Sequence, residues 1–151
     1  MMFTLTVESS PPLRYTLPLR QWLPLHAGAS GLAILAYLPD EVQTEVARGP
    51  LSAATDRTIV DPESLLQRLA MIREDGYSIT HGERIEGAIA IASPVFGPTG
   101  AVLGVTGMTI PATRFNAAHS STLAGLVRQA AEQLTAQLSG TRDLRASVAR
   151  H

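Results

Sequence analysis

The chain contains no cysteine. That absence excludes a disulfide framework, a thiolate zinc site and a cysteine nucleophile. It also lacks any apolar run near the roughly 20 residues that a membrane-spanning helix requires. Nor is there an excess of charge of either sign, because 12 Lys and Arg stand against 13 Asp and Glu, for a net charge of -1. Such a balance supplies no electrostatic footprint for nucleic acid or an acidic membrane. The first residues, MMFTLTVESSPPLRY, lack the charged start and apolar h-region of a secretory signal. These exclusions leave a cytoplasmic-type domain, and 151 residues suffice for one domain with a core of its own.

Periodicity then predicts the elements. FTLTVE (3–8) alternates Phe3, Leu5 and Val7 against polar residues, the pattern of a half-buried strand. SSPP ends it, and Leu13–Leu19 reads as a second extended piece broken by Pro18. A first helix is expected from about Ser30 to Leu38, apolar all round and therefore internal. Asp40 can cap a second, DEVQTEVAR, whose Val42 and Val46 share a face. After the polar loop GPLSAATDRTIV comes a well-punctuated helix with Asp61 as cap, Pro62 as first residue and Gly76 as stop. Its buried stripe is Leu65, Leu69 and Ile72, with Leu66 beside them.

GYSITHGER reads as a strand and turn, and IEGAIAIASPVF and AVLGVTGMTI as two longer strands joined by GPTG. A last helix, from about Ser121 to Leu138, carries Leu123, Leu126, Val127, Ala130, Leu134 and Leu138. Gly140 ends it. This divides the chain into a domain at 1–140 and a flexible C-terminal tail at 141–151. Strands flanking a helical middle, with a closing helix, predict an α+β fold on an antiparallel sheet.

Two features point to a small-molecule pocket. LPLHAGASG places glycines and a serine before an apolar helix, where first-turn N–H groups have no intrahelical partner. The strand pair carries small residues on one face. If the hairpin turns tightly at Pro98–Thr99, Ala90 lies opposite Gly107 and Ala88 opposite Thr109, leaving a hollow with one hydroxyl. If Gly100 forms a bulge instead, the register slips by one and Met108 fills the hollow. Each residue also has a plainer reading. Gly28 and Gly31 can serve close helix packing alone, and His26 reads as a hydrogen-bonded core histidine. His81 reads as a solvated turn residue, and Glu83, Arg84 and Glu86 as a charged rim or a local ion pair worth little.

LPLHAGASGLAILAYLPDE, TIVDPESLLQRLAMIREDGYS, ERIEGAIAIASPVFGPTGAVLGVTGMTIPATRF and the final helix together resemble the C-terminal effector-binding domain of IclR-family bacterial transcription regulators. The resemblance covers most of residues 23–139. It implies a GAF/profilin-like antiparallel sheet with helices packed on it, a domain that binds a small metabolite and associates into dimers or tetramers. DNA contact would then run through a helix-turn-helix that this chain does not include. The family's effector contacts fall here on Gly28, Ala29 and Ser30, on Thr80 and His81, on Ala90, and on Gly107 and Thr109, and the resemblance favours the first register.

The sequence departs from the family pattern where a cysteine is common (Ala90), where serines are (Gly107, Thr109), where an acid is (Thr80 or His81) and where a lysine is (Leu32). Those departures imply an effector larger or less polar than short oxo-acids. A carboxylate would be held by neutral donors without an arginine.

The function expected is therefore an organic-acid sensor with no cofactor and no metal. A ligand-independent partner of full-length regulators is the alternative. An enzyme is the weakest reading, since no HExxH, no GxSxG and no spaced nucleophile–base pair occurs.

Overall fold

A computed structural model of the chain describes residues 1–5, 7 and 20–148, with side-chain surroundings through residue 140. The elements follow in the order α1 (Ala29–Leu35), α2 (Asp40–Arg48), α3 (Pro62–Asp75), β1 (Ser78–His81), β2 (Ala88–Phe96), β3 (Val102–Pro111), two short 3₁₀ turns and α4 (Ser120–Val148). The strands form one antiparallel sheet in the order β1-β2-β3. The fold is thus the α+β arrangement that the pattern of strands and helices implies.

The sheet has two differently built faces. On one, Ser78–Ala92–Gly107 and Thr80–Ala90–Thr109 form two cross-strand rows of small residues. There α1 packs, with Ala29 and Ala33 against Ala92. Behind α1 lies the main core, in which Leu32 and Leu35 meet Ala47 of α2 and Leu65, Leu69 and Ile72 of α3. On the other face Ile91 meets Ala124 and Val127 of α4, with Tyr77, Ile79 and Leu123 around them.

The ends of the helices explain their boundaries. Asp61 accepts a hydrogen bond from the Ser64 N–H at 2.8 Å, Pro62 opens α3, and Gly76 closes it in the left-handed region at φ 77°. The carbonyls that end α1 are taken by side chains from elsewhere. Gln43 donates to Ala36 and Leu38, and Arg73 donates to Ala36 at 2.6 Å while pairing with Asp40. These bonds let α1 stop at Leu35 rather than Leu38. Asp40 is the first residue of α2 rather than its cap, a place taken by Pro39, and the buried residues of α2 are Gln43 and Ala47.

Several other expectations need correction. FTLTVE does not form a strand among its described residues. Phe3 makes an isolated bridge, and Leu5 and Val7 are 81% and 90% exposed. Met1 and Phe3 instead pair with Leu23 and Arg20, through Leu23 N–H to Met1 O at 2.7 Å and Arg20 N–H to Phe3 O at 3.1 Å. SSPP and Leu13–Leu19 lie outside the described residues. Leu66 turns outward from α3. Gly140 lies within α4, which continues to Val148. The inner face of α4 is Ala124, Val127 and Ala131, whereas Leu126, Leu134 and Leu138 are exposed. Alanines let the helix approach β2 closely; Leu126 faces away, whereas Leu134 and Leu138, seven residues after Val127 and Ala131, continue the inner face and stay exposed.

The β2–β3 register matches neither alternative alone. Gly97 and Ala101 bracket a three-residue loop, with Gly97 N–H to Ala101 O at 2.8 Å and Gly100 at φ 80°. That loop slips the pairing by one residue. A second irregularity between Val95 and Phe96 adds another. Two slips restore the faces, because side chains alternate with period two. Ala90 therefore opposes Thr109, Ala92 opposes Gly107, and Met108 lies across from Ile91.

Candidate functional site

The turn 81–87 between β1 and β2 stands beside the start of α1. It is braced from below by the loop at 49–60, where Thr55 donates its hydroxyl to Gly82 O and Thr58 donates to Glu83 O, both at 2.6 Å. Thr58 in turn accepts the N–H groups of Ala54 and Thr55. Side-chain hydroxyls thus fix the middle of the turn to the body of the domain, while backbone bonds from Gly82 N–H to Ala88 O and from Ala112 N–H to Gly87 O, both 2.7 Å, hold its ends to the sheet.

A cavity of about 30 Å³ opens between this turn, the start of α1 and the sheet. That volume holds about one water molecule. Gly28, Ala29, Ser30, Thr80, Ala90 and Thr109 line it, together with Phe3, Glu83, Arg84, Ile85 and Ala88. His81 and Gly107 do not. His81 follows Thr80 on a strand, so its side chain points to the opposite face, where its ring meets Phe115 edge-on at 5.9 Å. Gly107 is pressed against the neighbouring strand β2, where a Cβ would lie 2.5 Å from the Ile91 carbonyl oxygen and 3.1 Å from Ala92. The small residues therefore do two jobs. At Ala92 and Gly107 they allow close packing, of α1 on Ala92 and of β3 on β2, and beyond them, at Ala88, Ala90 and Thr109, space remains.

An arginine stands in the cavity, contrary to the expectation of neutral donors alone. Arg84 lays its aliphatic stem against Gly28, whose φ of 84° and missing Cβ leave room for it; a Cβ at Gly28 would meet Arg84 Cδ at 3.0 Å. Its guanidinium lies over the Phe3 ring, 5.7 Å from the centroid. Burial pulls the Arg84 pKa down. Glu83 beside it is 6% exposed and pairs through Oε1 with Arg68 of α3 at 2.8 Å. Burial pushes the Glu83 carboxyl above the usual range, and Arg68 pulls the other way.

A groove of about 580 Å³ adjoins the cavity and shares Arg84 and Ala88 with it. His26 lies away from both and donates a 2.8 Å hydrogen bond from Nε2 to the Ser52 carbonyl oxygen, as a core histidine does. Ser30 is the second residue of α1 and makes no cap; the N-cap position belongs to Gly28.

The family model for the C-terminal region of the bacterial transcriptional regulator IclR matches residues 1–136. The chain belongs to the IclR family. Among curated relatives, a probable HTH-type transcriptional regulator ArcR of Halobacterium salinarum is 33% identical over 134 residues, covering 87% of this chain and 51% of that protein. The crystal structure of Thermotoga maritima IclR superposes with a TM-score of 0.82 at 25% identity, over 88% of this chain and 54% of the other. An IclR homologue of Microbacterium hydrocarbonoxydans, solved in complex with 4-hydroxybenzoate, matches with a TM-score of 0.74 and 29% identity over 85% of this chain and 51% of that one. This IclR-family chain spans about half the length of the curated relatives it matches. Among its described residues no helix is long and apolar enough to cross a membrane.

Proposed function

We propose that this domain binds a small organic acid as the effector of a transcriptional regulator. The observation that carries the reading is convergence. Six residues from three separate stretches (the start of α1, β1, and the β2–β3 pair) line one cavity, and a basic side chain stands in it. The 4-hydroxybenzoate held by the Microbacterium homologue supports an acid as the ligand. A ligand acts here only by preferring one arrangement of protomers over another, and DNA is reached through a helix-turn-helix outside this chain.

A thermal-shift screen of small carboxylates tests the reading, and an absence of any stabilising acid would remove it. Once a ligand is in hand, Thr109→Val keeps the volume of the side chain and deletes its hydroxyl. A polar ligand should weaken by about 1–2 kcal/mol, the cost of a buried hydrogen bond lost. Unchanged affinity by calorimetry would take Thr109 out of the site.

Self-association is part of the same proposal. Leu134 and Leu138 stand seven residues after the buried Val127 and Ala131 and so prolong the inner stripe of α4, yet with Leu126 they stay exposed, a pattern that fits a covered rather than a solvated surface. Leu126→Glu with Leu134→Glu should reduce the sedimentation coefficient to that of a monomer. A wild-type protein that stays monomeric at high concentration would count against the stripe as an interface. A ligand-independent partner role is the second reading, and a stabilising acid in the screen separates the two.

A further inference from the structure

We infer that Glu83 and Arg84 form a two-point site for a small ligand carrying both a carboxylate and a hydrogen-bond donor, a short hydroxy or amino acid. The inference rests on the effector-binding reading and narrows it to a ligand class. Two buried terminal atoms carry it: Arg84 Nη1 and Glu83 Oε2 have no hydrogen-bond partner among the described residues, and both side chains line the same cavity. One is a donor bearing positive charge, the other an acceptor bearing negative charge. Neighbours in sequence, they form no ion pair with each other, since Glu83 is turned to Arg68.

Leaving such atoms unpaired is costly, and an apolar pair of the same bulk would be cheaper for the fold alone. Their directions are also fixed. Oε1 of Glu83 is held by Arg68 at 2.8 Å, so Oε2 cannot turn away without breaking that bond. Arg84 is held between Gly28 and the Phe3 ring. The backbone under both is anchored by Thr58. With the Glu83–Arg68 pair neutral as a unit, the cavity carries one net positive charge from Arg84, which selects an anion. The remaining acceptor on Glu83 then selects among anions for one that also donates. The cavity has room for about one water molecule, so only the polar end of the ligand enters between the two side chains, and its carbon body must lie over Ala88 in the adjoining groove.

The test is calorimetric titration of the full chain with four matched probes: lactate, alanine, propionate and lactamide. Lactate or alanine should bind at least about tenfold more tightly than propionate, which lacks the donor, and than lactamide, which lacks the charge. Glu83→Gln should erase the margin over propionate, and Arg84→Gln the margin over lactamide. Equal binding of all four probes, or margins that survive in both variants, would overturn the two-point site while leaving acid binding in place. If no carboxylate binds, in this set or in the broader screen, both readings fall together.

A second measurement does not depend on the ligand. Arg84→Met should leave Tm unchanged or raise it by about 2–4 °C, because it removes an unpaired buried charge. A clear fall in Tm would mark Arg84 as a structural brace and overturn its assignment to a ligand.

Discussion

Gly31→Val should leave little folded protein, and Gly31→Ala should already cost about 2–3 kcal/mol in urea unfolding. The reason is steric and local. A Cβ at Gly31 would stand 2.4 Å from the Leu25 carbonyl oxygen and 2.8 Å from its carbon, both backbone atoms with nowhere to rotate. Leu25 in turn packs on the main core beside Leu32 and Leu35. Relief would require α1 to lift from the segment before it, and overpacking of this kind costs about 1–3 kcal/mol even for one methyl group. Valine adds two further carbons and a restricted χ1, against a total stability of about 5–15 kcal/mol. Gly125→Ala is the matched control. Nothing lies within 4 Å of a Cβ there, the residue is within α4, and alanine should stabilise by about 0.5–1 kcal/mol. Equal tolerance at both positions would mean that α1 can shift freely, and the close approach would not then explain the glycine.

This bears on how the segment LPLHAGASG can be read. Its two glycines have different reasons, which the sequence presents as one motif. Gly31 exists for packing; Gly28 adopts φ 84° and makes room for a side chain 56 residues away in sequence. Elements whose signals are local were legible. The cap at Asp61, the proline after it and the left-handed Gly76 lie within one helix and fix α3 to the residue. Alternation likewise marks β2 and β3. Pairing between them was not legible, since it depends on two separate one-residue slips, at Gly100 and between Val95 and Phe96. Because two slips cancel in parity, the face carrying Ala90 and Thr109 came out correctly although the opposite residues did not.

Within the candidate site, period two alone would have separated Thr80 from His81, since neighbours on a strand cannot face one cavity. Arg84 gave no such signal. In GERIEG it looks like one charge among three on a solvated turn, and only the packing of Phe3 and Gly28 around it brings it inside. The exposed leucines of α4 show the same limit in reverse: Leu134 and Leu138 continue the periodic stripe of Val127 and Ala131, and only the packing decides how far along the helix that stripe is buried.

Arg68→Met should destabilise the protein by at most about 3–4 kcal/mol at pH 7 and by about 1 kcal/mol at pH 5, a pH dependence that separates charge from packing. Glu83 is almost fully buried and its one partnered oxygen accepts from Arg68, so the variant leaves a buried carboxylate without its counter-charge. Such a break would ordinarily cost 3–5 kcal/mol, roughly. The carboxyl can instead take up a proton, and the cost of that is about 1.4 kcal/mol for each pH unit above its ordinary pKa, which sets the ceiling. In the wild-type protein the direction is already visible. Burial holds the Glu83 pKa above its value in the unfolded chain, despite Arg68. The folded state therefore binds more protons in the window between the two values, and the stability contributed is greatest below the unfolded pKa and declines as pH rises through the folded one. Removing Arg68 moves the folded value further up and widens that window toward neutrality. Arg68→Met with Glu83→Gln should recover most of the loss, since no charge is then left to bury. Unfolding curves between pH 5 and 8 check all three proteins. A loss of equal size at both ends of that range would assign the effect to the Arg68 stem and its bond to the Ile79 carbonyl, and not to the charge on Glu83.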